Sequence, residues 1–459
     1  MEQDGVILTF GPLGPLMRQT VNGEVSPATS LDGDQTNHWF PNFLPGGRRF
    51  LFFVSAAGIP AKSAIYLGEL DTKTTTRVIG DVPQGSTGMY VTPGWLLYVQ
   101  DRSLLARKFD LRTANVAGEA VRVASGVSPS QYGPGVSVST TGVIAYRTSG
   151  VASKLTWFTR SGNVLGTIGP ADDNELAEPA LSPDDRAVLV TRTVKDSMNV
   201  WRVDDVNSTR VTFEREAWGV WSSDRRWIVF SSGKSGFVNM HIKPAASAGS
   251  SEEKVLLASA TNEVATSWSP DGRVLLYNTV DEHGSIHISV LPMEGDRPGT
   301  PSPWLRTQFG ERHAQFSPDG RFVAYQSDVS GRDEIYVRPF AFGNPSPGDG
   351  RDREPPGPLW KISTAGGVSP RWKKSDGSEL YYVAPDGTLM AAAIKQVGGA
   401  LQIGMPVALF HPRIKGGGTP SSINWNYDVS RDGRFLVNVD TSPTPPIIIL
   451  QNWQAPSSE

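Results

Sequence analysis

Acidic side chains recur at one place in this sequence, and carboxylates at a fixed spacing can bind cations or move protons. Glu216, Glu263 and Glu311 each lie six residues before the serine of a repeated turn. Glu175 and Glu178 flank the same place one repeat earlier, seven and four residues before the serine. Gathered carboxylates repel one another and attract cations. The spacing indicates either a shared acidic site or carboxylates that each cap a connecting segment separately.

Histidine and asparagine side chains accompany these carboxylates. His313 follows Glu311 by two residues, which places both on one face of a strand. Asn424 and Asn426, in SINWNYDV, hold the equivalent place in the last repeat and would add amide oxygens. Carboxylate and amide oxygens are ligands that calcium prefers, although no cofactor is required by the pattern. We therefore expect a binding site formed by Glu175, Glu178, Glu216, Glu263, Glu311, His313, Asn424 and Asn426.

The strong catalytic signatures are missing from the sequence. It contains no His-Glu-x-x-His, no Gly-x-Ser-x-Gly, no phosphate loop and no EF-hand loop. The absence of cysteine excludes thiolate metal sites and cysteine nucleophiles. His283 and His287 are four residues apart, but they lie where a turn enters a strand, so helical spacing has no meaning there. No catalytic residue is therefore assigned.

The repeated turn defines the elements that position these side chains. It reads SPDGRFVAY at 317–325, SPDGRVLLY at 269–277, SPDDRAVLV at 182–190 and SSDRRWIVF at 222–230. Proline presets φ, aspartate bonds to its own backbone, and glycine takes the positive φ that closes a tight hairpin. Related turns recur every 40 to 57 residues, and each is flanked by alternating β-branched and aromatic residues. This period predicts an all-β fold, a β-propeller of about nine to ten four-stranded repeats.

The number of propellers stays open at this point. Units starting near 175, 216, 263, 311, 367 and 424 would make a six-bladed propeller over 171–459, with the blades of 1–170 in a second, incomplete one. The alternative is a single large ring over 1–459, in which residues 413–453 complete a split unit with residues 5–31. Such a pairing would leave no open edge strand.

Composition limits the kinds of partner. The net charge is −3 and the pI is near 6.1, which gives no support for nucleic acid as a ligand. No run approaches 18 apolar residues, and MEQDGVILTF has no basic segment before an apolar stretch. We therefore expect no membrane insertion by this chain and no secretory signal within it.

The repeats resemble a known family. FSPDGRFVAYQSDVSGRDEIYVRPF at 316–340 and WSPDGRVLLY at 268–277 are similar to the TolB-type, WD-like propeller repeat of bacterial periplasmic proteins. HWFPNFLPGGRRFLFF, AIYLGELDT and YDVSRDGRFLVN, in that order, resemble the C-terminal sensor region of bacterial membrane serine/threonine kinases. The resemblance implies an extracytoplasmic location. It lends no kinase activity, because the kinase signatures are missing.

Two classes of function follow. The first is a non-catalytic propeller, a sensor or interaction module that binds a protein, peptide or glycan; a purely structural platform has the same sequence features. Trp39, Trp218 and Trp425 would suit a peptide or glycan if they are not simply packed. The alternative is a calcium-dependent lactone or ester hydrolase, in which an ion in the channel polarises the carbonyl.

Overall fold

The computed structural model describes most of the chain. The described residues are 2–3, 5–10, 14–33, 35–56, 63–82, 86–127, 135–139, 141–148, 153–172, 175–194, 197–205, 207–214, 216–233, 238–247, 252–280, 285–340, 354–418, 424–441 and 447–453. Within these residues the chain forms 41 strands and one 3-10 turn, Ala245–Ser247. None of the described segments is a helix long and apolar enough to cross a bilayer.

The repeated turn is built as its sequence predicts. Ser317 Oγ donates to Asp319 Oδ1 over 2.6 Å and accepts from the Phe322 N–H over 3.0 Å. Gly320, at φ +71°, donates its N–H to the Ser317 carbonyl. Where other repeats replace glycine, Asp185 and Arg225 take the same left-handed conformation, with φ of +60° and +63°. The serine thus joins both arms of the hairpin, which explains its recurrence.

The chain divides into two compact units. The first comprises Met1–Val151 and Ser442–Glu459, and the second comprises Ala152–Thr441. The described strands of the first unit form four antiparallel sheets, named A to D. They are sheet A, β1 (Glu2–Gln3), β2 (Val6–Phe10), β3 (Leu16–Thr20) and β4 (Val25–Pro27); sheet B, β5 (Gln35–Phe43), β6 (Arg49–Ala56), β7 (Ala64–Glu69) and β8 (Thr75–Gly80); sheet C, β9 (Met89–Val91), β10 (Trp95–Gln100), β11 (Ser103–Asp110) and β12 (Asn115–Ser125); and sheet D, β13 (Val136–Val138), β14 (Ile144–Arg147) and β41 (Ile447–Leu450).

The described strands of the second unit form six sheets, named blades 1 to 6. Blades 1 to 3 are β17 (Glu175–Leu181), β18 (Val188–Val194), β19 (Ser197–Val203) and β20 (Ser208–Arg210); β21 (Glu216–Trp221), β22 (Trp227–Ser232), β23 (Asn239–Pro244) and β24 (Lys254–Leu257); and β25 (Asn262–Trp268), β26 (Val274–Val280), β27 (Ile286–Glu294), β28 (Arg297–Pro298) and β29 (Ser302–Leu305). Blades 4 to 6 are β30 (Glu311–Phe316), β31 (Phe322–Ser327), β32 (Glu334–Pro339) and β33 (Trp360–Lys361); β34 (Val368–Trp372), β35 (Glu379–Val383), β36 (Leu389–Val397), β37 (Ala400–Ile403) and β38 (Val407–Phe410); and β39 (Tyr427–Val429), β40 (Phe435–Asp440), β15 (Ser153–Phe158) and β16 (Val164–Asp172).

The first strands of the six blades form a closed ring. β17, β21, β25, β30, β34 and β39 each pack against the next, and β39 packs against β17. Apolar side chains fill the spaces between blades: Phe316 of blade 4 packs with Leu276 of blade 3, and Trp372 of blade 5 packs with Phe322 of blade 4. Burying both faces of each sheet in this way is what a four-stranded blade requires. The fold is an all-β propeller.

Strand pairing corrects one prediction from the sequence. Residues 5–31 do not complete a split unit with residues 413–453. β40 pairs instead with β15, and β41 pairs with β14, while β2, β3 and β4 lie in sheet A with β1. The expected boundary at 170/171 falls within β16, inside the second unit. The assignment of 1–170 and 171–459 as domains stays a prediction.

Candidate functional site

The three recurring glutamates are buried at the starts of their blades, and each carboxylate bonds to the connection that precedes it. Glu216 Oε2 accepts from the N–H groups of Phe213 and Glu214, at 2.9 and 3.0 Å. Glu263 Oε1 accepts from the hydroxyls of Ser259 and Thr261. Carboxylates used in this way stabilise connections between blades.

Glu311 adds a contact to the preceding blade. Its Oε1 accepts from the Thr307 hydroxyl, and its Oε2 lies 3.1 Å from Nδ1 of His287 in blade 3. The His283–His287 metal pair cannot be followed, since His283 lies outside the described residues. His287 itself is buried against Glu311.

Glu263 is electrostatically distinct. Burial raises its pKa to about 7, against the lowering effect of the hydrogen bonds from Ser259 and Thr261. Its second carboxylate oxygen, Oε2, is buried and has no hydrogen-bond partner among the described residues. A carboxyl group in such a place is protonated at mildly acidic pH.

Glu178 on β17, His313 on β30, and Asn424 and Asn426 just before β39 lie around Trp425. The Glu178 N–H donates to the Trp425 carbonyl over 2.9 Å, and the His313 ring lies edge-on to the Trp425 ring at 6.2 Å. Asn424 Oδ1 accepts from Trp218 Nε1 over 3.0 Å, and Asn426 Oδ1 accepts from Asn438 over 3.0 Å.

The structure therefore brings some predicted residues together, while the three glutamates bond to different connections. The side chain of Glu175 lies outside the described residues. Within the described part of the chain, no group of three or more His, Asp or Glu side chains could hold a metal ion. The shared site at the channel mouth, its calcium ion and the hydrolase alternative stay predictions.

A buried charge cluster was missed from the sequence. Asp428 Oδ2 accepts from the Leu181 N–H at 2.8 Å and from Lys374 Nζ at 2.9 Å, and Asp428 Oδ1 lies 3.6 Å from Arg371 Nε. Arg371 also lies over the Trp425 ring, 5.2 Å from its centroid. An alignment of the repeats would have revealed this cluster. Asp428 and Arg371 each lie two residues before the first residue of their turn, and the equivalent positions in blades 1 and 2 carry the apolar residues Ala180 and Val220.

A cleft lies at the other end of the inner strands, between the turns of blades 2 and 3. Its volume is about 500 Å³, within the range typical of ligand pockets. Trp227 and Trp268 line it, and the charged residues in the lining are Asp224, Arg226, Asp271, Arg273 and Glu294. Trp227 directly follows its turn, where the other repeats carry Ala187, Val274 or Phe322, and that difference is the sequence signal for the cleft.

The charges in the cleft differ in how they are held. Asp224 accepts from Ser222 Oγ over 2.6 Å and from Arg226 Nε over 2.5 Å, and Asp271 accepts from Ser269 Oγ over 2.6 Å. The hydrogen bond from Ser269 lowers the pKa of Asp271. Arg273 and Glu294 are exposed and form no salt bridge with any described residue. The cleft thus presents side chains of both charges beside the half-buried indole of Trp227 and the edge of the buried indole of Trp268.

Trp268 departs from its counterparts in other blades. Trp221 Nε1 donates to the Ala180 carbonyl, and Trp372 Nε1 donates to the Gln315 carbonyl, both over 3.1 Å. The buried Nε1 of Trp268 finds no acceptor among the described residues. An indole hydrogen bond joins blade 2 to blade 1 and blade 5 to blade 4. The Trp268 indole forms no such bond from blade 3 to blade 2 among the described residues, beside the cleft.

Comparison with known proteins finds similarity only at the level of structure. The chain matches no protein-family model, and no curated protein matches it. A putative TolB from Agrobacterium tumefaciens is 16% identical, with 63% of this chain and 98% of that chain covered and a TM-score of 0.45. TolB from Acinetobacter baumannii is 13% identical over 73% and 76%, with a TM-score of 0.30. An oligogalacturonate lyase in complex with manganese is 17% identical over 74% and 98%, with a TM-score of 0.32.

Proposed function

We propose that this chain is a non-catalytic binding propeller, a sensor or interaction module, and that the cleft between blades 2 and 3 holds a peptide segment of a protein partner. The observation that carries the proposal is that Trp227 and Trp268 share one cleft with Arg273 and Glu294, two exposed charges of opposite sign that form no salt bridge with a described residue. Indoles supply a large contact area at low conformational cost. Arg273 and Glu294 can each pair with a charged group of the ligand.

A peptide fits this lining better than a glycan. Polypeptide carries both carboxylate and cationic groups, which complement the exposed Arg273 and Glu294. By its resemblance to receptor-kinase sensor regions, we further propose that the chain acts outside the cytoplasm as part of such a receptor. A kinase and a membrane helix encoded upstream in frame would support that part of the proposal.

The cleft can be tested with a matched pair of variants. Arg273 lies in the turn of blade 3, and Arg321 occupies the same turn position in blade 4, away from the cleft lining. A displayed peptide library would be selected on the purified protein, and the affinity of selected peptides measured by fluorescence polarisation. Arg273→Glu should weaken binding about tenfold or more, a loss of about 1.4 kcal/mol, whereas Arg321→Glu should leave it unchanged.

Two outcomes would count against the proposal. Equal affinity of the selected peptides for both variants would place their binding elsewhere. Failure to select any peptide, together with saturable binding to a glycan array that Arg273→Glu abolishes, would keep the cleft and overturn its ligand class.

A further inference from the structure

Sheet D of the first unit has fewer strands than any other described sheet. It contains β13, β14 and β41 only, while the other nine described sheets have four or five strands. β41 pairs with β14 from Ile447 opposite Arg147 to Leu450 opposite Ile144. In sheets A, B and C the third strand pairs with a fourth, outer strand of the same chain: β3 with β4, β7 with β8, and β11 with β12. The corresponding edge of β41 has no such strand among the described residues.

Among the described residues, no strand occupies that edge of β41. Apart from the pairing with β14, residues 447–450 form no hydrogen bond within the described part of the chain. An antiparallel strand directs alternate N–H and C=O groups away from its partner. These groups are the usual template on which another extended segment adds to a sheet.

The side chains of β41 do not protect this edge. Ile447 and Ile449 are 64% and 58% exposed, while Leu450 packs against the core of sheets C and D. The strand sequence is IIIL, with no lysine or proline inside it. Exposed edge strands in natural proteins ordinarily carry charge or proline, because an apolar edge pairs with other chains.

We propose that sheet D is completed in trans by a strand from a partner protein, which pairs antiparallel with β41. The partner segment is extended, about four residues long by the length of β41, and apolar at alternate positions so that it covers Ile447 and Ile449. A second copy of this chain fits less well, since two β41 strands side by side would give a six-stranded sheet where the described sheets have four or five. This edge belongs to the first unit, whereas the cleft belongs to the second.

The test uses one of the chain's own outer strands as the probe. A fluorescein-labelled peptide copying residues 118–125, GEAVRVAS, contains part of β12, the outer strand of sheet C, and is apolar at the alternate positions Val121 and Val123. Its affinity for the full chain would be measured by fluorescence polarisation, with molar mass by light scattering. The control peptide carries Val121→Pro, which removes a backbone donor.

Two double variants distinguish binding at the β41 edge from non-specific hydrophobic binding. Ile447→Lys with Ile449→Lys introduces charge on β41 at exposed positions and is expected to leave the melting temperature unchanged. Val164→Lys with Leu165→Lys makes the same change on β16, the outer strand of the complete blade 6, at residues 65% and 52% exposed. We expect the peptide to bind the wild-type protein and the β16 variant equally, and the β41 variant about tenfold or more weakly.

Several results would overturn the proposal. They are the absence of peptide binding, equal binding of the proline peptide, and equal binding by the β41 variant. A wild-type dimer that becomes monomeric in the β41 variant would assign the edge to a second copy instead. Arg273→Glu should leave binding of this peptide unchanged, so failure of the cleft proposal and failure of this one are distinguishable.

Discussion

The indole N–H of Trp372 donates a hydrogen bond to the main-chain carbonyl of Gln315, from blade 5 to blade 4, whereas Trp268 makes no such bond to blade 2. Both side chains are buried to a similar extent, so the same substitution removes a similar contact area from each. We expect Trp372→Phe to lower the free energy of unfolding by about 1 kcal/mol more than Trp268→Phe. Urea denaturation of the two variants measures the difference, and an equal or larger cost for Trp268→Phe would contradict it.

The ring of the second unit closes through Asp428. Its carboxylate accepts from the Leu181 N–H of blade 1 and neutralises Arg371. Burial lowers the pKa of Arg371, and the Asp428 carboxylate opposes that effect. Asp428→Ala would leave a buried guanidinium unpaired and should cost about 3–5 kcal/mol. Ser267 makes the equivalent bond to the Phe316 N–H without a charge, and Ser267→Ala should cost only about 1 kcal/mol. Similar losses in a denaturant titration would show that the charge cluster is unimportant.

Stability of the second unit should fall as pH rises, because of Glu263. Its pKa is about 7 in the folded protein against 4.5 ordinarily, so the folded state retains a proton that the unfolded chain releases. Stability is therefore full below pH 4.5 and lost progressively towards pH 7, by about 3 kcal/mol. Glu263→Gln should flatten this dependence in urea titrations across that range. The exposed Glu294→Gln should keep the wild-type slope; a slope unchanged in Glu263→Gln would refute the assignment.

The opposite dependence is expected of the first unit, because of His38. Burial lowers its pKa from 6.5 to about 4, and the neutral ring is held between Thr29 Oγ1 and Gln35 Oε1, each at 2.8 Å. The unfolded chain takes up a proton that the folded state refuses, so stability is lost as pH falls from 6.5 to about 4, by about 3 kcal/mol. His38→Gln should remove this loss in calorimetric scans, and His411→Gln, on the surface of the second unit, should not. An unaltered acid response in His38→Gln would exclude His38 as its source.

Local chemistry determined the blades from the sequence alone. The spacing of the turns predicted inner strands near 175, 216, 263, 311, 367 and 424, and the structure begins them at Glu175, Glu216, Asn262, Glu311, Val368 and Tyr427. It also placed Asp185 and Arg225 where a positive φ is needed. These features are predictable because a hairpin and its turn form within a few consecutive residues.

Only the tertiary structure decided which distant strands share a sheet and where the glutamate side chains turn. β15 joins β40 across nearly the whole second unit, and no local pattern distinguishes that pairing from the one expected with residues 5–31. The repeat correctly placed Glu263 and Glu311 at the starts of their strands. The direction of each side chain, however, depends on the donors around it. Ser259 bonds to the Glu263 carboxylate, whereas Thr307 and His287 contact the Glu311 carboxylate, so the two carboxylates lie at separate connections. The period of a sequence fixes position along a strand, whereas the hydrogen-bond donors that surround a carboxylate are assembled only when remote segments pack.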